Sequence, residues 1–484
     1  MSFYPERKLL PQRFRLVLLS VLQTSGLPFS DVLAEEEIEE AFDEDASWFA
    51  QEEGDVFTPP LTLWAFLSQV LYKDEQRSCL AAVSRVIVLL AALGRPLCAK
   101  NSGGYCKARA KLPEPVLRRL TTRVARGCEK QVPQAWLWKG RHVKLADGTT
   151  VSMPDTEANQ KEYPQPASQQ AGLGFPVARM VVLLSLATAM VSAMAMGPCS
   201  GKETGELALM RQLLDQLDSG DLLLADRYFC SYFMIALLLE RKIDFVARLH
   251  HARKEGAYRI KRLSKHSYLV EWPRPDKPNW MDEDTYHRMP ESLSLRQLEV
   301  KVEQPGFRVE SLVVVTTLRD TKEYSNDDIA QLYHRRWLVE LDLRAIKCNL
   351  GMDVLRCKTP QMVRKEIWTC LLAYNLIRKT MLQAAMESGL SPRQLSFTSA
   401  LQTLAASWVV LPTLGDSRVA WTIVEQLASL TRPLVGNRPN RIEPRAVKRR
   451  PNPIRLLTMP RDVAREQLQR GVDPFKSSTQ QAIC

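Results

Sequence analysis

The chain has 484 residues, 45% of them hydrophobic, and a formal net charge of +12. This length exceeds the size at which one hydrophobic core stops growing, so we expect two or three domains. The charge favours a polyanionic partner, with nucleic acid ahead of an anionic membrane surface. The ten cysteines and six histidines are dispersed and include no CxxC pair, which argues against a zinc module or a disulfide framework.

The N-terminal stretch "MSFYPERKLLPQRF" lacks the apolar core of a signal peptide. Residues 180–198 are apolar and nearly long enough to cross a bilayer. Ser185, Thr188 and Ser192 interrupt this run, however, and two consecutive buried strands produce the same pattern. We therefore predict two strands here and a cytoplasmic protein.

Residues 1–135 are predicted to be mainly helical, because apolar residues recur there at helical spacing. The acidic segment 34–55 is interpreted as a solvated helical face. The segment 108–130 is strongly basic and fits two interpretations equally well. It is either a helix that contacts phosphates or a basic face exposed to solvent.

From about residue 140, strands alternate with helices. "HVKLADGTTVSMP" predicts a strand that ends in a turn at Asp147-Gly148, and the apolar run supplies two more strands. "KETGELALMRQLLDQL" predicts an amphipathic helix, and "DLLLADRYF" predicts a short buried strand that ends at Asp226. "SYFMIALLLERK" and "DFVARL" predict a further helix and strand.

Residues 250–310 are strand-like and show no clear helix, and "SLVVVTTL" predicts a strand after them. "SNDDIAQLYHRRWLVELDLRAIKCNLG" predicts a long helix with a capping sequence at its start. Helices are expected from there to about residue 430. The Pro/Arg-rich stretch "RPLVGNRPNRIEPRAVKRRPNPIRLL" predicts an extended basic arm.

Two aspartates follow apolar strands in similar contexts, Asp147 in "VKLADGTT" and Asp226 in "LLLADRYF". Ligands gather at strand ends in open α/β sheets. Taken singly, each aspartate is more typical of a turn or a helix cap. Two such Ala-Asp strand ends in one chain favour a shared site.

Glu340 lies in the middle of a basic helical stripe. Tyr333, Glu340 and Lys347 are spaced by seven residues. On an α-helix, positions seven residues apart differ in direction by only about 20°. Arg336 and Arg344 fall on the same face. Taken alone, the stripe fits a solvated face in which the arginines pair with Glu340.

Together, Asp147, Asp226 and Glu340 point to metal chemistry. Converging carboxylates repel one another unless cations hold them together, and hard oxygen ligands suit Mg²⁺ or Mn²⁺. Two such ions promote phosphodiester chemistry, in which Arg336, Lys347 and Tyr333 would serve as donors to phosphates. A glycosidase with paired carboxylates explains neither the basic charge nor the arginines around Glu340.

These residues resemble the signature of the bacterial DDE transposases of insertion sequence family 4. That signature is Tyr, two residues, Arg, three residues, Glu, six residues, Lys, and Tyr333, Arg336, Glu340 and Lys347 match every spacing. The family's two aspartates correspond to Asp147 in "ADGT" and Asp226 in "ADRYF". "FTPPLTLWAFLSQVL" and "GGYCKARAKLP" also resemble the family's helical leader, so the likeness covers roughly residues 55–385.

The resemblance implies an α/β fold: an RNase H-like catalytic core in which Asp147, Asp226 and Glu340 hold two Mg²⁺ ions, with Mn²⁺ able to substitute. The expected domains are a helical DNA-binding domain (1–135), the core (136–385) with a β-rich insertion at about 245–312, and a helical C-terminal region with a basic tail (386–484). An insertion aromatic, Trp280 or Trp272, is a candidate for stacking on a flipped base.

The function implied is cut-and-paste transposition, with cleavage at transposon ends followed by strand transfer. The expected partner is double-stranded DNA, both the terminal inverted repeats and the target, bound by a nucleoid-associated homodimer without a membrane. Arg227 and Arg344 are weaker candidates for DNA contact. Two alternatives stay open: a host nuclease on the same core, and a domesticated DNA-binding protein that has lost catalysis.

Overall fold

The protein was examined as a computed structural model that describes residues 13–435 and 458–474, apart from 25, 47, 53, 254–257 and 302–310. Most of the predicted basic arm, residues 436–457, therefore lies outside the described residues.

The α-helices are distributed along the whole described chain. They are α1 (Arg15–Ser20), α2 (Glu35–Glu44), α3 (Pro59–Leu71), α4 (Cys79–Ala92), α5 (Gly103–Lys111), α6 (Glu114–Gln131), α7 (Glu157–Glu162), α8 (Glu206–Arg211), α9 (Tyr232–Glu240), α10 (Glu283–Arg288), α11 (Asn326–His334), α12 (Leu338–Arg344), α13 (Pro360–Ser388), α14 (Phe397–Ser407), α15 (Asp416–Leu430) and α16 (Arg461–Gln469).

The strands form one nine-stranded sheet in the order β3-β2-β1-β4-β5-β9-β8-β7-β6. They are β1 (Val143–Ser152), β2 (Val177–Ser185), β3 (Val191–Pro198), β4 (Leu222–Ala225), β5 (Asp244–Arg248), β6 (Arg259–Ser264), β7 (Ser267–Pro273), β8 (Ser292–Lys301) and β9 (Ser311–Thr316). The two strands predicted for the apolar run are confirmed as β2 and β3. In the described part of the chain, no helix is both long and apolar enough to cross a membrane.

The first five strands confirm the RNase H-like fold class. β2 is antiparallel to both of its neighbours, β1 and β3, whereas β1, β4 and β5 run parallel to one another. The order 3-2-1-4-5 with these directions is that of an RNase H-like sheet. β9 then pairs with β5 in antiparallel fashion, so the strands between residues 259 and 316 extend the same sheet.

Helices cover both faces of the sheet, and the alternation of side chains along β1 shows which face is which. Leu145 belongs to the larger core, which also contains apolar residues of α6, α12 and α13. Ala146 belongs to the second core, together with apolar residues of α8 and α9. The part of the sheet formed by β1 to β5 is therefore buried on both faces, as its continuous apolar strands predict, whereas β6 at the far edge is largely exposed.

Helix α13 joins the N-terminal helices to the core. Its start is capped by the hydroxyl of Thr359, which accepts from the backbone N–H of Met362, and Gly389 ends it at φ +68°. The helix packs against α3 and α6 on the N-terminal side and against α14 and α15 on the C-terminal side. Asn375, fully buried in α13, donates to the backbone carbonyls of Thr121 in α6 and Val191 in β3.

Three sequence predictions are corrected. Strand β1 does not turn at Asp147-Gly148 but continues to Ser152, because β2 pairs with it along that length. The helix predicted from "KETGELALMRQLLDQL" is only the six residues of α8, followed by a 3₁₀ turn at Leu214–Gln216. The strand-like segment 250–310 contains the short helix α10, which Asp282 caps by accepting from the N–H of Thr285.

The acidic segment is also more than a solvated face. Its helix α2 packs beside α6, where Arg123 pairs with Glu37 at 2.9 Å and with Glu40 at 3.8 Å, and Arg119 pairs with Glu44. Opposite charges on neighbouring helices thus meet within the N-terminal half.

Candidate active site

The register of two parallel strands brings the predicted aspartates together. Ala146 of β1 pairs with Ala225 of β4, so Asp147 and Asp226 occupy the next position on each strand. Neighbouring strands lie about 4.8 Å apart, which makes these residues direct neighbours along the backbone. Strand β4 ends there, whereas β1 continues beside β2 alone, so the two aspartates lie where the sheet opens.

Each aspartate is held by a local backbone hydrogen bond. Oδ1 of Asp147 accepts from the N–H of Gly148 at 2.9 Å, and Oδ1 of Asp226 accepts from the N–H of Tyr228 at 2.8 Å. The second contact caps the 3₁₀ turn Arg227–Phe229. Both side chains are only partly buried, so ligands can reach them.

Electrostatics connect Asp147 to the third predicted acid. Burial raises the pKa of Asp147 to about 6, and the negative charges of Asp226 and Glu340 add to this rise. The positive charge of Arg336 and the hydrogen bond from Gly148 oppose it. Asp226 and Glu340 therefore both act on Asp147, and Arg336 partly compensates their charge there.

The helical segment that carries Glu340 is continuous but not regular. A 3₁₀ turn at Arg335–Trp337 separates α11 from α12, and a π turn at Ala345–Asn349 follows α12. The long predicted helix is thus found at the predicted position, but it is not one regular α-helix. Glu340 lies on α12, which packs against β1, whereas Arg336 and Lys347 lie on the two irregular turns. Such irregular turns are frequent at functional sites.

Glu340 is paired with an arginine one turn earlier. Nη2 of Arg336 donates to Oε1 of Glu340 at 2.8 Å. The Arg336 side chain is largely buried, and the Glu340 side chain is half-buried. Tyr333 is buried, and its burial raises the pKa of the phenol. The charge of Asp226 adds to that rise in pKa, while the charges of Arg336 and Arg248 oppose it.

The three predicted acids are not grouped closely enough in this structure to bind one metal ion together. Among the described residues, no three Asp, Glu, His or Cys side chains lie close enough together to hold one metal ion. Asp147 and Asp226 accept local N–H groups, and Glu340 is occupied by Arg336. Binding of a cation to all three would therefore require Glu340 to exchange its guanidinium partner.

A buried ion-pair network fixes α12 two residues beyond Glu340. Asp342 is 1% exposed and accepts from Arg378 of α13 at 2.7 Å and from Arg393 at 3.1 Å. Arg393 also donates to the backbone carbonyl of Leu186, just beyond β2. The helix that carries Glu340 is therefore fastened to α13 and to the sheet.

The other predicted DNA-contacting residues surround the acids more loosely. Lys347 is half-buried and Arg344 is exposed, and neither forms an ion pair with another described residue. Arg227 lies on the turn capped by Asp226. Trp280 is half-buried, with the guanidinium of Arg211 3.9 Å from its ring centre, whereas Trp272 is only 1% exposed and belongs to the core.

Sequence reasoning missed a fourth acid beside the site, Glu206 of α8. A Cβ atom added at Gly148 would overlap its carboxyl group, so Glu206 lies directly against the residue that follows Asp147. Burial raises the pKa of Glu206, and the charge of Asp226 raises it further. "KETGELAL" carries no signal of this proximity, because the contact depends on how α8 packs on the sheet.

A large groove lies away from these acids. A groove of about 1100 Å³ runs between α6 and the edge strand β3, and none of Asp147, Asp226 and Glu340 lines it. Its walls include Arg118, Arg126 and Lys130, which are exposed and form one row along α6, whereas Arg119 and Arg123 are paired with α2. Arg119 and Arg123 thus fit neither interpretation of the basic segment, whereas phosphate contact by the exposed residues stays a prediction.

An RNase H-like sheet that brings two aspartates side by side, with a glutamate on a later helix, defines the class of DDE transposases. The family described as Transposase DDE domain matches residues 138–376. The chain is 26% identical over 398 residues to transposase InsG of insertion sequence element IS4 from Escherichia coli K12, covering 81% of this chain and 85% of that protein.

A shorter similarity links the chain to the putative transposase InsL of insertion sequence element IS186A from Escherichia coli K12. It is 37% identical over 65 residues, 13% of this chain and 18% of that protein. A solved piggyBac transposase complex with hairpin DNA aligns with a TM-score of 0.43 at 11% identity, covering 85% of each chain. The chain is thus similar over most of its length to a DDE transposase of insertion sequence family 4, and about half of it matches the transposase DDE domain. Its transposase domain implies dependence on divalent metal ions.

Proposed function

We propose that this DNA transposase catalyses cut-and-paste transposition, with metal-dependent cleavage at transposon ends followed by transfer of the freed end into target DNA. The observation that carries the proposal is the pairing of Ala146 with Ala225, which sets Asp147 beside Asp226, together with the charge of Glu340 acting on Asp147.

Asp147, Asp226 and Glu340 are the proposed ligands of two Mg²⁺ ions, for which Mn²⁺ can substitute. The donor set fits these ions, because it consists of carboxylate oxygens that repel one another and are only partly compensated by Arg336. Bound divalent cations supply activation of the attacking oxygen and stabilisation of the leaving oxygen in phosphodiester chemistry.

The residues around the acids hold the DNA in this proposal. Arg336 is placed to exchange Glu340 for a phosphate, since a guanidinium binds either group through the same donors. Lys347 and Arg344 supply further positive charge on the same segment, and Arg227 supplies it beside Asp226. Tyr333 donates to the DNA backbone, and Trp280 is the aromatic proposed for base stacking.

The exposed row Arg118, Arg126 and Lys130 on α6 is the proposed contact with the DNA backbone away from the cleavage point. Its charges line an open groove, and this geometry suits a continuous phosphate backbone. Double-stranded DNA, as terminal inverted repeats and as target, is the proposed substrate. A homodimer assembled on DNA would bring two ends together.

The experiment is incubation of the purified chain with DNA that carries the element's ends, in the presence of Mg²⁺. We expect wild type to cut at the ends and to produce strand-transfer products, and Glu340→Gln to do neither. Glu387→Gln, at an exposed glutamate near the end of α13, is the matched control and should behave as wild type.

The outcomes separate the alternatives. Failure of wild type to cut, or equal cutting by Glu340→Gln, rejects the catalytic proposal, and DNA binding without cutting favours a domesticated binding protein. Cleavage without any strand-transfer product favours a nuclease.

A further inference from the structure

Glu206 reaches the opened edge of the sheet from the side opposite Glu340. It is the first residue of α8, which packs against β2, β3 and the turn after Asp226, whereas Glu340 lies on α12 over the other core. Strand β4 ends at Ala225 while β1 continues to Ser152. Beyond Ala225, therefore, β4 no longer pairs with β1, and the sheet is open beside Gly148.

Gly148 makes this approach possible. Its own backbone is extended within β1, so the glycine is not needed for a turn. It leaves space, because a Cβ at this position would overlap the carboxyl group and the Cγ atom of Glu206 as that side chain lies in the structure. The residue after Asp147 thus provides the room in which a second acidic side chain lies.

In the part of the chain that the structure describes, no partner neutralises the Glu206 carboxylate. Among the described residues, it neither accepts a hydrogen bond nor forms an ion pair, although it is half-buried. The positive charge of Arg179 opposes the rise in the pKa of Glu206, but its guanidinium donates to the backbone carbonyl of Thr204 at 3.1 Å. The negative charge of Asp226 acts on it as well.

A half-buried, unpaired carboxylate next to other acids is costly unless a cation compensates it. Asp147, Asp226, Glu340 and Glu206 bring four negative charges to this edge of the sheet, and Arg336 is already engaged with Glu340. Mg²⁺ takes six oxygen ligands, so two ions need more donors than three carboxylates supply, and water or further acids must provide the rest.

We propose that Glu206 is a fourth acidic residue of the active site, which binds a divalent cation jointly with Asp226 from the face of the sheet opposite Glu340. The proposal rests on the metal site proposed for Asp147 and Asp226 and adds to it a ligand supplied by α8. Gly148 is the residue that admits this ligand.

Binding of Mn²⁺ to the metal-free full-length chain without DNA tests the proposal independently of activity. Free Mn²⁺ is counted by electron paramagnetic resonance across a titration. We expect Glu206→Gln to lose one bound ion or to weaken binding at least threefold, and Glu206→Asp, which keeps the charge but shortens the reach, to fall between Glu206→Gln and wild type. Glu387→Gln should bind as wild type.

Activity supplies a second measurement. The Mg²⁺ concentration for half-maximal cleavage should rise at least threefold in Glu206→Gln, and added Mg²⁺ should recover much of the rate. Unchanged Mn²⁺ stoichiometry and affinity, within threefold, together with an unchanged Mg²⁺ requirement, would overturn the proposal. Glu206 would then only fill the space over Gly148.

Asp147→Asn separates this inference from the proposed function. If Asp147→Asn abolishes Mn²⁺ binding while Glu206→Gln leaves it intact, only the role of Glu206 fails. If neither variant alters Mn²⁺ binding, the whole metal site is misplaced. Melting curves establish that each variant is folded, and if Glu206→Gln does not fold, Glu206→Asp decides, because wild-type Mn²⁺ binding by that variant also overturns the proposal.

Discussion

The guanidinium of Arg336 donates to the carboxylate of Glu340 across 2.8 Å, so the third proposed metal ligand is held by a cation that belongs to the protein. The pair spans the junction between a 3₁₀ turn and α12 and is partly buried. Arg336 therefore has two opposed effects. It stabilises Glu340 before a metal binds, and it competes with the metal for the same oxygens.

This competition predicts the behaviour of Arg336→Gln. Without DNA, the variant should bind Mn²⁺ more tightly, by a few-fold, because Glu340 no longer has to leave a charged partner. Its end cleavage should nevertheless fall, because a phosphate-binding group has been removed. The measurement is a Mn²⁺ titration alongside a cleavage assay. Arg335→Gln, at an exposed neighbour, is the control, and weaker Mn²⁺ binding by Arg336→Gln would refute the competition.

The pKa of Asp147 predicts a pH-dependent stability in the absence of metal. The folded pKa is about 6, above the ordinary value of 3.8, so this group's contribution to stability is full below 3.8 and is lost as the pH rises through 6. Asp147→Asn should therefore stabilise the metal-free protein at pH 7.5 by about 1–2 kcal/mol, a value that allows for partial exposure.

Melting curves in EDTA at several pH values test this prediction. The gain of Asp147→Asn over wild type should shrink as the pH falls towards 4, where wild-type Asp147 is protonated. Asp276→Asn, in an exposed loop, should show no such trend. A gain that stays constant with pH would show that the charge of Asp147 is not its cause.

The Asp342 network predicts a large stability loss. Asp342→Asn leaves Arg378 and Arg393 without their shared carboxylate, and removing one partner of a buried ion pair costs about 3–5 kcal/mol of the free energy of unfolding. Denaturation by urea measures the loss. A loss no larger than that of Asp276→Asn would mean that the network does not hold α12.

The exposed row on α6 predicts a change in the salt dependence of DNA binding. Arg126→Glu combined with Lys130→Glu should weaken binding and reduce the slope of log K against log salt by about 2, since each lost phosphate contact contributes about 0.9. Lys100→Glu, at an exposed position outside the groove, should change the slope less. Equal effects would support the interpretation of α6 as a merely solvated face.

Much of the site could be predicted because its parts are local. Asp147 and Asp226 each follow a run of buried residues, and parallel strands place such positions side by side. The two strands of the apolar run follow from the same kind of pattern. Glu340 could be placed on a helix, but the 3₁₀ and π turns around it could not, because no residue spacing in this segment signals them.

The rest depends on contacts between distant segments. The sequence suggests a turn at Asp147-Gly148, yet pairing with β2 keeps the chain extended and gives Gly148 a spatial role against Glu206. The acidic residues of α2 look solvated until α6 supplies Arg119 and Arg123. Neither relationship has a spacing signal, because each joins residues from different elements.

The fastening of Asp342 to α13 and to the loop beyond β2 also limits how the active site can close. Sliding or rotation of α12 would pull a buried carboxylate away from two arginines, so the backbone around Glu340 is expected to stay in place. What can move is the Glu340 side chain, as it leaves Arg336. Side-chain rotamer changes are faster than domain motions, which take microseconds to milliseconds. The last proposed ligand can therefore be in place long before any rearrangement of bound DNA is complete.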